Sequence, residues 1–526
     1  MMQVPLTITS IMRHADRVNG ASEVVSVTAD NPRHRCTLSD VFRRARQLAN
    51  ALTKAGVRRG DRIATLAWND YRHLELYYAV SCVGAVLHTL NPRLYAEQIT
   101  YIANHAGDRF LFADPTLMPL VDKLRPSFTT VERVVALSAD SYEAFIADEP
   151  DVFDWPELDE RTASSLCYTS GTTGNPKGAL YDHRSTVLHS YGSALVDTIG
   201  LSRHDTLLVV VPMFHANAWG LPYSAPMVGA KLVFPGPRMG DGATLAALIQ
   251  EESVTLGAGV PTVWQNLLNH AREHGIVLDT LERVLTGGSA CPLSVMDEFS
   301  DRHAVWTIHA WGMTEMSPLG STNSRPRDYE RLPRDERNTL RSRPGRPVYG
   351  VETRVVDEAG RELPWDGRST GILQVRGLWV CSRYFNEPES AAHGPDGWFS
   401  TGDVANISAD GSIQITDRAK DVIKSGGEWI SSIDLECVAA GHPKVQQAAV
   451  IGIPHPKWDE RPLLVVVPRP GEPPTRDELL GWLDGRVAKW WIPDDVVFVE
   501  QIPLTATGKI SKVELRQQFK DYRFCP

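Results

Sequence analysis

Tyr168-Thr169-Ser170-Gly171-Thr172-Thr173-Gly174-Asn175-Pro176-Lys177-Gly178-Ala179 is the stretch on which the reading of this chain turns. It follows an apolar run, Ala163 to Cys167, that reads as a buried strand, and it crowds hydroxyls and glycines into one loop. Backbone N–H groups freed by the glycines can form an anion nest, and the Ser170, Thr172 and Thr173 hydroxyls add donors. Lys177 supplies a point charge suited to phosphate. The loop is not of the Walker A type: the glycine spacing is too short, and Gly178 stands where that loop needs a hydroxyl for magnesium. A plain flexible Gly/Thr loop is the bland alternative, and the complete twelve-residue string argues against it.

Outward from this loop the chain alternates strand and helix patterns. Leu38 to Leu52 carries Val41, Ala45, Leu48 and Leu52 at helical spacing, Gly60-Asp61-Arg62 reads as a turn, and Ile63 to Ala67 as a short strand. Leu74 to Leu87 is expected to be a buried helix. Strand-like runs recur at Thr206 to Val211, Lys231 to Phe234 and Arg283 to Leu285, which predicts α/β layers with buried strands. Beyond residue 350 the strands shorten and alternate, as in Glu352 to Val356 and Gly371 to Val375, so a β-rich subdomain is expected. A polar, glycine-bearing stretch, Asp417 to Gly427, then precedes strand-like Val445 to Ile453 and Leu463 to Val467 and a helix at Arg476 to Lys489. The fold class is α/β: a large N-terminal domain over 1–419 with layered α/β subdomains and a β-rich subdomain, then a small α+β domain over 420–526.

The 526 residues are 42% apolar and 22% charged, which excludes disorder as the dominant state. With 54 basic and 64 acidic side chains the net charge is −10, and this argues against a general nucleic-acid binder. No apolar run is long enough to span a bilayer, and the N-terminus has no signal-like apolar core, so a cytoplasmic protein without a transmembrane segment is expected. Cysteines at 36, 82, 167, 291, 381, 437 and 525 form no CxxC, against both a disulfide framework and a zinc site. Residues 324–346 hold eight arginines and four acids and read as a solvated charged face, with a basic functional patch as the alternative.

The loop at Tyr168 resembles the signature of the AMP-forming acyl- and aryl-CoA synthetases, the adenylate-forming superfamily. Further motifs follow in that family's order: Gly287-Gly288-Ser289-Ala290, His309-Ala310-Trp311-Gly312-Met313-Thr314-Glu315, Trp398 to Asp403, Asp417-Arg418-Ala419-Lys420-Asp421, and Thr505-Ala506-Thr507-Gly508-Lys509-Ile510. The resemblance covers essentially the whole chain and implies an acid–thiol ligase that uses ATP, magnesium and coenzyme A on a small carboxylic acid. It implies that Thr169, Ser170, Gly171, Thr172, Thr173, Gly174 and Lys177 follow the phosphates. Gly288, Ser289 and Ala290, with His309, Ala310, Trp311, Gly312, Met313 and Thr314, would line the adenine, and Gly288 and Gly312 would also face the acyl group. Thr169 and Glu315 would organise magnesium, Lys509 would bridge carboxylate and α-phosphate, and the C-terminal domain would be mobile about Lys420. That rotation would bring Ser425, Gly426, Gly427, Glu428 and Trp429 to the site for the thioester step. A homodimer through the large domain is also implied.

These residue types suit the reaction on physical grounds. A carboxylate must attack the α-phosphorus, and both are anions. At an effective dielectric near 20, two unit charges about 4 Å apart repel by roughly 4 kcal/mol, or about a thousandfold in rate if uncompensated. A cation is needed between them. A planar Trp311 can stack on adenine, Asp403 can accept from both ribose hydroxyls, and Arg418 can support the same ribose. Taken singly, each has a bland reading: a solvated lysine, a helix-start glutamate, a core tryptophan. Their joint order reverses it.

Pro212 to Trp219 occupies the region that shapes the acyl pocket in this family, with His215 placed to orient the carboxylate and Trp219 to gate or shorten the pocket. No Asp stands beside Phe214 to meet a substrate ammonium, so an amino acid would leave a buried charge unpaired. Ala310 to Pro318 and Ser425 to Ser432 look most like the medium- and long-chain fatty-acyl branch, which includes ligases for short thioether acids such as 3-methylthiopropionate. Trp311 in place of the usual tyrosine agrees with that branch. A medium-chain fatty acid is the expected substrate, with the thioether acid or an aryl acid as alternatives. A non-catalytic acyl-AMP or nucleotide sensor is the alternative from another class, against which intact Lys509, Glu315 and Asp403 argue; acyl-dependent AMP production separates the two. A luciferase-like oxygenase would be separated by coenzyme A dependence.

Overall fold

The helix Leu38–Lys54 buries Val41, Ala45, Leu48 and Leu52, the stripe that the spacing predicts. Its start is set by Thr37, whose Oγ1 accepts the Asp40 amide while the Asp40 carboxylate accepts the Thr37 amide, a reciprocal cap. The computed structural model describes residues 1–169, 175–387, 390–426, 428–471, 473–505 and 509–524.

Among the described residues the strands form four sheets. One runs in the order Arg133–Ala136, Asp108–Ala113, Arg62–Leu66, Val86–Thr89, Ala163–Tyr168, Gly178–Asp182, parallel except for its last pair. A second, nine-stranded sheet has a parallel centre in which Trp306–Gly312, Arg283–Thr286, Leu256–Gly259, Thr206–Val209 and Lys231–Phe234 are neighbours. Asn69 ties the loop after the first sheet's Arg62–Leu66 strand to the second sheet: its Nδ2 donates to the Val209 and Val211 carbonyls and its Oδ1 accepts the Met213 amide. The predicted β-rich subdomain is an antiparallel sheet of Val351–Val356, Gly371–Gly377, Phe399–Ile407 and Ile413–Arg418. The fourth sheet holds the hairpin Ile423–Ser425 with Glu428–Ile430, the long pair Val445–His455 with Asp459–Pro468, and Asp495–Phe498. The helices Ser432–Ala440, Arg476–Leu483 and Lys512–Gln518 pack with it. The α/β class with its β-rich and α+β parts is what the alternation predicts.

Two expected elements differ. The helix read as Leu74 to Leu87 is Tyr71–Cys82, and Val86 and Leu87 belong to the strand Val86–Thr89. Every residue of this helix is buried, so it carries no apolar stripe whose end could be read; Gly84, at φ +84°, turns the chain into the strand. The helix read as Arg476 to Lys489 stops at Leu483, because Asp484 is extended and Gly485 lies at φ +72°. The arginine-rich stretch forms the helix Arg334–Ser342, largely exposed as expected, except that Arg341 is buried and pairs with Asp297. Cys36, Cys82, Cys167, Cys291, Cys381 and Cys437 are free thiols. No helix among the described residues is long and apolar enough to cross a membrane.

Candidate active site

The strand Trp306–Gly312 ends in a register shift between Trp311 and Gly312. No side chain fits at Gly312, where a Cβ would lie 1.9 Å from the Pro318 carbonyl oxygen. This irregularity leaves Trp311 half-buried, and its Nε1 donates to Asp403 Oδ2 at 2.9 Å. Asp403 reaches it from the antiparallel sheet, in cross-strand register with Arg418, whose Nε lies 2.8 Å from Asp403 Oδ1. Burial pushes the Asp403 carboxyl up, and Arg418 and Trp311 pull it back. The adenine and ribose candidates Trp311, Asp403 and Arg418 thus meet, although Trp311 and Asp403 lie 92 residues apart. His309 is buried, with Nδ1 3.3 Å from the Arg341 carbonyl; burial holds its pKa near 4, so the ring is neutral. Ala310 and Met313 are half-buried and Thr314 is buried around them.

Glu315 is 5% exposed, and Tyr384 donates to its Oε1 at 2.6 Å. Burial raises the Glu315 pKa, opposed first by the Tyr384 hydrogen bond. Lys177 lies with Nζ 4.9 Å from the Tyr384 ring centroid and pairs with Glu387 at 2.9 Å. At the base of the glycine-rich loop the Thr169 amide donates to the Lys177 carbonyl at 2.8 Å, and the Lys177 amide reaches Thr169 Oγ1 at 3.3 Å. Tyr384 and Glu387 fall between the sequence motifs, with no local pattern to mark them. Ser170, Gly171, Thr172, Thr173 and Gly174 lie outside the described residues, as do Gly427 and residues 506–508.

Magnesium is a fit for this donor set. Glu315 keeps one carboxylate oxygen free of Tyr384, and the Thr169 hydroxyl is a second hard oxygen. No group of three or more His, Cys, Asp or Glu among the described residues could hold an ion by itself. An ion that takes most of its ligands from nucleotide phosphates and water needs no such cage.

Lys509 arrives from the C-terminal region. A Cβ on Gly288, at φ +84°, would stand 3.3 Å from Lys509 Cε and 3.8 Å from Nζ, so the lysine lies along the glycine loop. Ser289 is exposed and Ala290 half-buried beside it. Burial and then the Arg418 charge lower the Lys509 pKa to about 8, against the pull of Asp403 and Glu315. His215 is held near 3 by burial and by Lys509, and is a neutral imidazole. Lysine, both carboxylates, arginine and histidine therefore share one electrostatic neighbourhood. Ser425 and Gly426 have other company: Ser425 Oγ accepts from Arg461, and the Gly426 amide donates to the Trp458 carbonyl at 2.7 Å. Trp429 pairs with Lys424 across the same hairpin, Glu428 with Ser425. Lys420 is exposed in the turn that follows Arg418.

The acyl-pocket candidates take an unusual path. Ala216, Asn217, Ala218 and Trp219 have φ of 44°, 51°, 48° and 57°, and Gly220 continues at 73°. Left-handed geometry costs L-residues about 1–2 kcal/mol each, and asparagine tolerates it best. The turn lays Trp219 against the glycine loop, its Cη2 3.6 Å from where a Gly287 Cβ would stand.

The AMP-binding enzyme family model matches residues 12–385, and the AMP-binding enzyme C-terminal domain model matches residues 434–509. A 3-methylmercaptopropionyl-CoA ligase of Ruegeria pomeroyi is 53% identical, covering 99% of this chain and 98% of its own. A medium-chain-fatty-acid–CoA ligase of Ectopseudomonas oleovorans is 51% identical over 99% and 97%, and a long-chain-fatty-acid–CoA ligase of Thermus thermophilus 47% over 99% and 97%. Among solved structures, ATP-bound MatB from Rhodopseudomonas palustris aligns with a TM-score of 0.83 at 26% identity, covering 98% of this chain and 99% of its own. The fold of the anthranilate CoA ligase AuaEII, in complex with anthranoyl-AMP, matches with a TM-score of 0.88 at 24% identity over 98% and 99%.

Proposed function

The chain belongs to the AMP-binding enzyme family and is an acid–CoA ligase, and from that premise we propose which residues do the work and on which acid. ATP activates a carboxylic acid to its acyl-adenylate, and the acyl group passes to coenzyme A. In the first step a carboxylate oxygen attacks the α-phosphorus, and the bond to pyrophosphate breaks. In the second a thiol loses its proton and attacks the acyl carbonyl, and AMP departs.

Lys509 is the cation between carboxylate and α-phosphate. The observation that carries this reading is its amine beside Gly288, in the field of Asp403, Glu315 and Arg418. Neutral His215 adds a hydrogen bond to the carboxylate without charge. Thr169 and Glu315 would hold magnesium, which when bound offsets charge on the phosphates; Tyr384 keeps Glu315 aimed. Lys177 must exchange Glu387 for phosphate. The deciding experiment is acid-dependent pyrophosphate release, with and without coenzyme A: pyrophosphate without thioester, or thioester without acid-dependent AMP, would sink this reading.

Asp403 is the ribose acceptor. Its oxygens already take one donor each from Arg418 and Trp311, which leaves lone pairs for the two ribose hydroxyls. Hydrogen bonds to a charged acceptor contribute about 1.5–3 kcal/mol each. Asp403→Ala is therefore expected to raise the KM for ATP roughly tenfold or more, with a smaller change in the KM for the acid, measured at saturating co-substrate.

The proposed acid is a medium-chain fatty acid held by Phe214, Ala218 and Trp219, each methylene contributing about 0.8 kcal/mol until the pocket ends. The second reading, 3-methylmercaptopropionate (the same acid as 3-methylthiopropionate), is favoured by Trp219 standing against the glycine loop, where it shortens the space. Trp219→Ala is expected to move the optimum to longer chains. Specificity constants over acids of increasing length, with the thioether acid alongside, check this: an unmoved optimum removes Trp219 from the pocket. The homodimer belongs to the same proposal, and light scattering tests it.

A further inference from the structure

The left-handed turn from Ala216 to Gly220 needs a restraint, since three of its four non-glycine members are poorly suited to it. Among the described residues, one side chain in the turn makes buried polar contacts. Asn217 is 2% exposed, its Nδ2 donates to Ser165 Oγ at 2.8 Å, and the Cys167 thiol donates to its Oδ1 at 3.2 Å. Ser165 and Cys167 are themselves buried, on the strand Ala163–Tyr168 that feeds the glycine-rich loop. The preceding segment is pinned separately, by Asn69 on the Met213 amide and by the Tyr77 hydroxyl on the Met213 carbonyl. The turn thus hangs between a fixed start and one amide tether, and Trp219 is its far end. At Gly220 a Cβ would meet His189 Nδ1 at 2.6 Å, so the chain has no room to relieve the strain on that side.

We propose that Asn217 is a positioning residue that sets the length limit of the acyl group, by holding the turn left-handed and Trp219 against Gly287. Without the tether, the turn relaxes toward ordinary φ, and Trp219 leaves the end of the pocket. This rests on the reading that Pro212 to Trp219 shape the acyl pocket. It adds a residue that touches no substrate and ties acyl selection to the strand beneath the phosphate loop.

Asn217→Gly tests it, because glycine accepts φ near +50° while removing the tether. The expected result is a broadened chain-length profile, with a tenfold or larger relative gain for acids two carbons beyond the wild-type optimum. The KM for the preferred acid should rise several-fold while that for ATP stays within twofold. Ser165→Ala removes one partner from the strand side and should move the profile in the same direction by less; it decides the matter if Asn217→Gly does not fold. Trp219→Ala in the same panel separates the two ideas. If Trp219→Ala shifts the profile and neither tether variant does, the tether role is overturned and the pocket stands. If no variant shifts it, the pocket reading falls and the inference with it. Equal rises in both KM values would mark Asn217 as merely structural and overturn the proposal.

Discussion

Replacing Lys509 by alanine is expected to slow acyl-adenylate formation about a thousandfold while leaving thioester formation from supplied acyl-adenylate within a few-fold. The magnitude follows from the charge problem. Two anions about 4 Å apart at an effective dielectric near 20 repel by roughly 4 kcal/mol, and the amine beside Gly288 is the cation proposed to stand between them. Once the adenylate exists, that repulsion is gone. Rapid-quench measurement of each half-reaction checks it, and equal losses in both, in a folded variant, would remove Lys509 from its specific role. A pH dependence follows from the same group. Because burial lowers the Lys509 pKa to about 8, the amine loses its proton as pH rises through that value in the free enzyme. The kcat/KM of adenylation should therefore fall above about pH 8. Lys509→Arg, always charged, should lack that alkaline limb.

Lys420→Pro is the second large effect, in the opposite half of the cycle: adenylation kept, thioester formation lost by two orders of magnitude or more. Lys420 sits in the turn whose hydrogen bonds run from the Asp421 and Val422 amides to the Arg418 carbonyl. Among the described residues its own amide has no hydrogen-bond partner, so proline removes none there and acts by fixing φ at this position and restricting Ala419 before it. The chain on either side is well anchored. Asp417 accepts the Ser432 amide, the Lys512 amine donates to Ser432 Oγ at 2.5 Å, and Arg516 pairs with Asp421. The proposed rotation would break the Asp417 contacts and be absorbed near Lys420. Unchanged thioester formation would move the hinge elsewhere.

What could be read without coordinates was whatever is local. The strand before the Tyr168 loop follows from its apolar run, and short motifs mark Asp403 and Arg418 as ribose candidates, but that the two pair across neighbouring strands is seen only in the fold. The end of the helix Tyr71–Cys82 leaves no mark in the sequence, because burial on every side erases periodicity. Tyr384 escaped because its partner, Glu315, is 69 residues away and nothing near it signals a buried phenol. Asn217 was in plain view beside Trp219, but three of its neighbours argue against a left-handed turn, so tertiary restraint overrides local preference there. Trp311 was expected to stack through its face; its indole N–H on Asp403 is a contact that only the fold reveals.

Gly288 offers a steric handle on one half of the cycle. It is the spot where the lysine's methylenes rest, 3.3 Å from any added Cβ, and a residue there already has to tolerate φ of +84°. On the proposed domain rotation, an alanine would crowd Lys509 in the docked arrangement seen here and not once the C-terminal region has moved away. A single methyl group there is expected to weigh more on acid activation than on acyl transfer, so one small substitution separates the two halves of the reaction in degree.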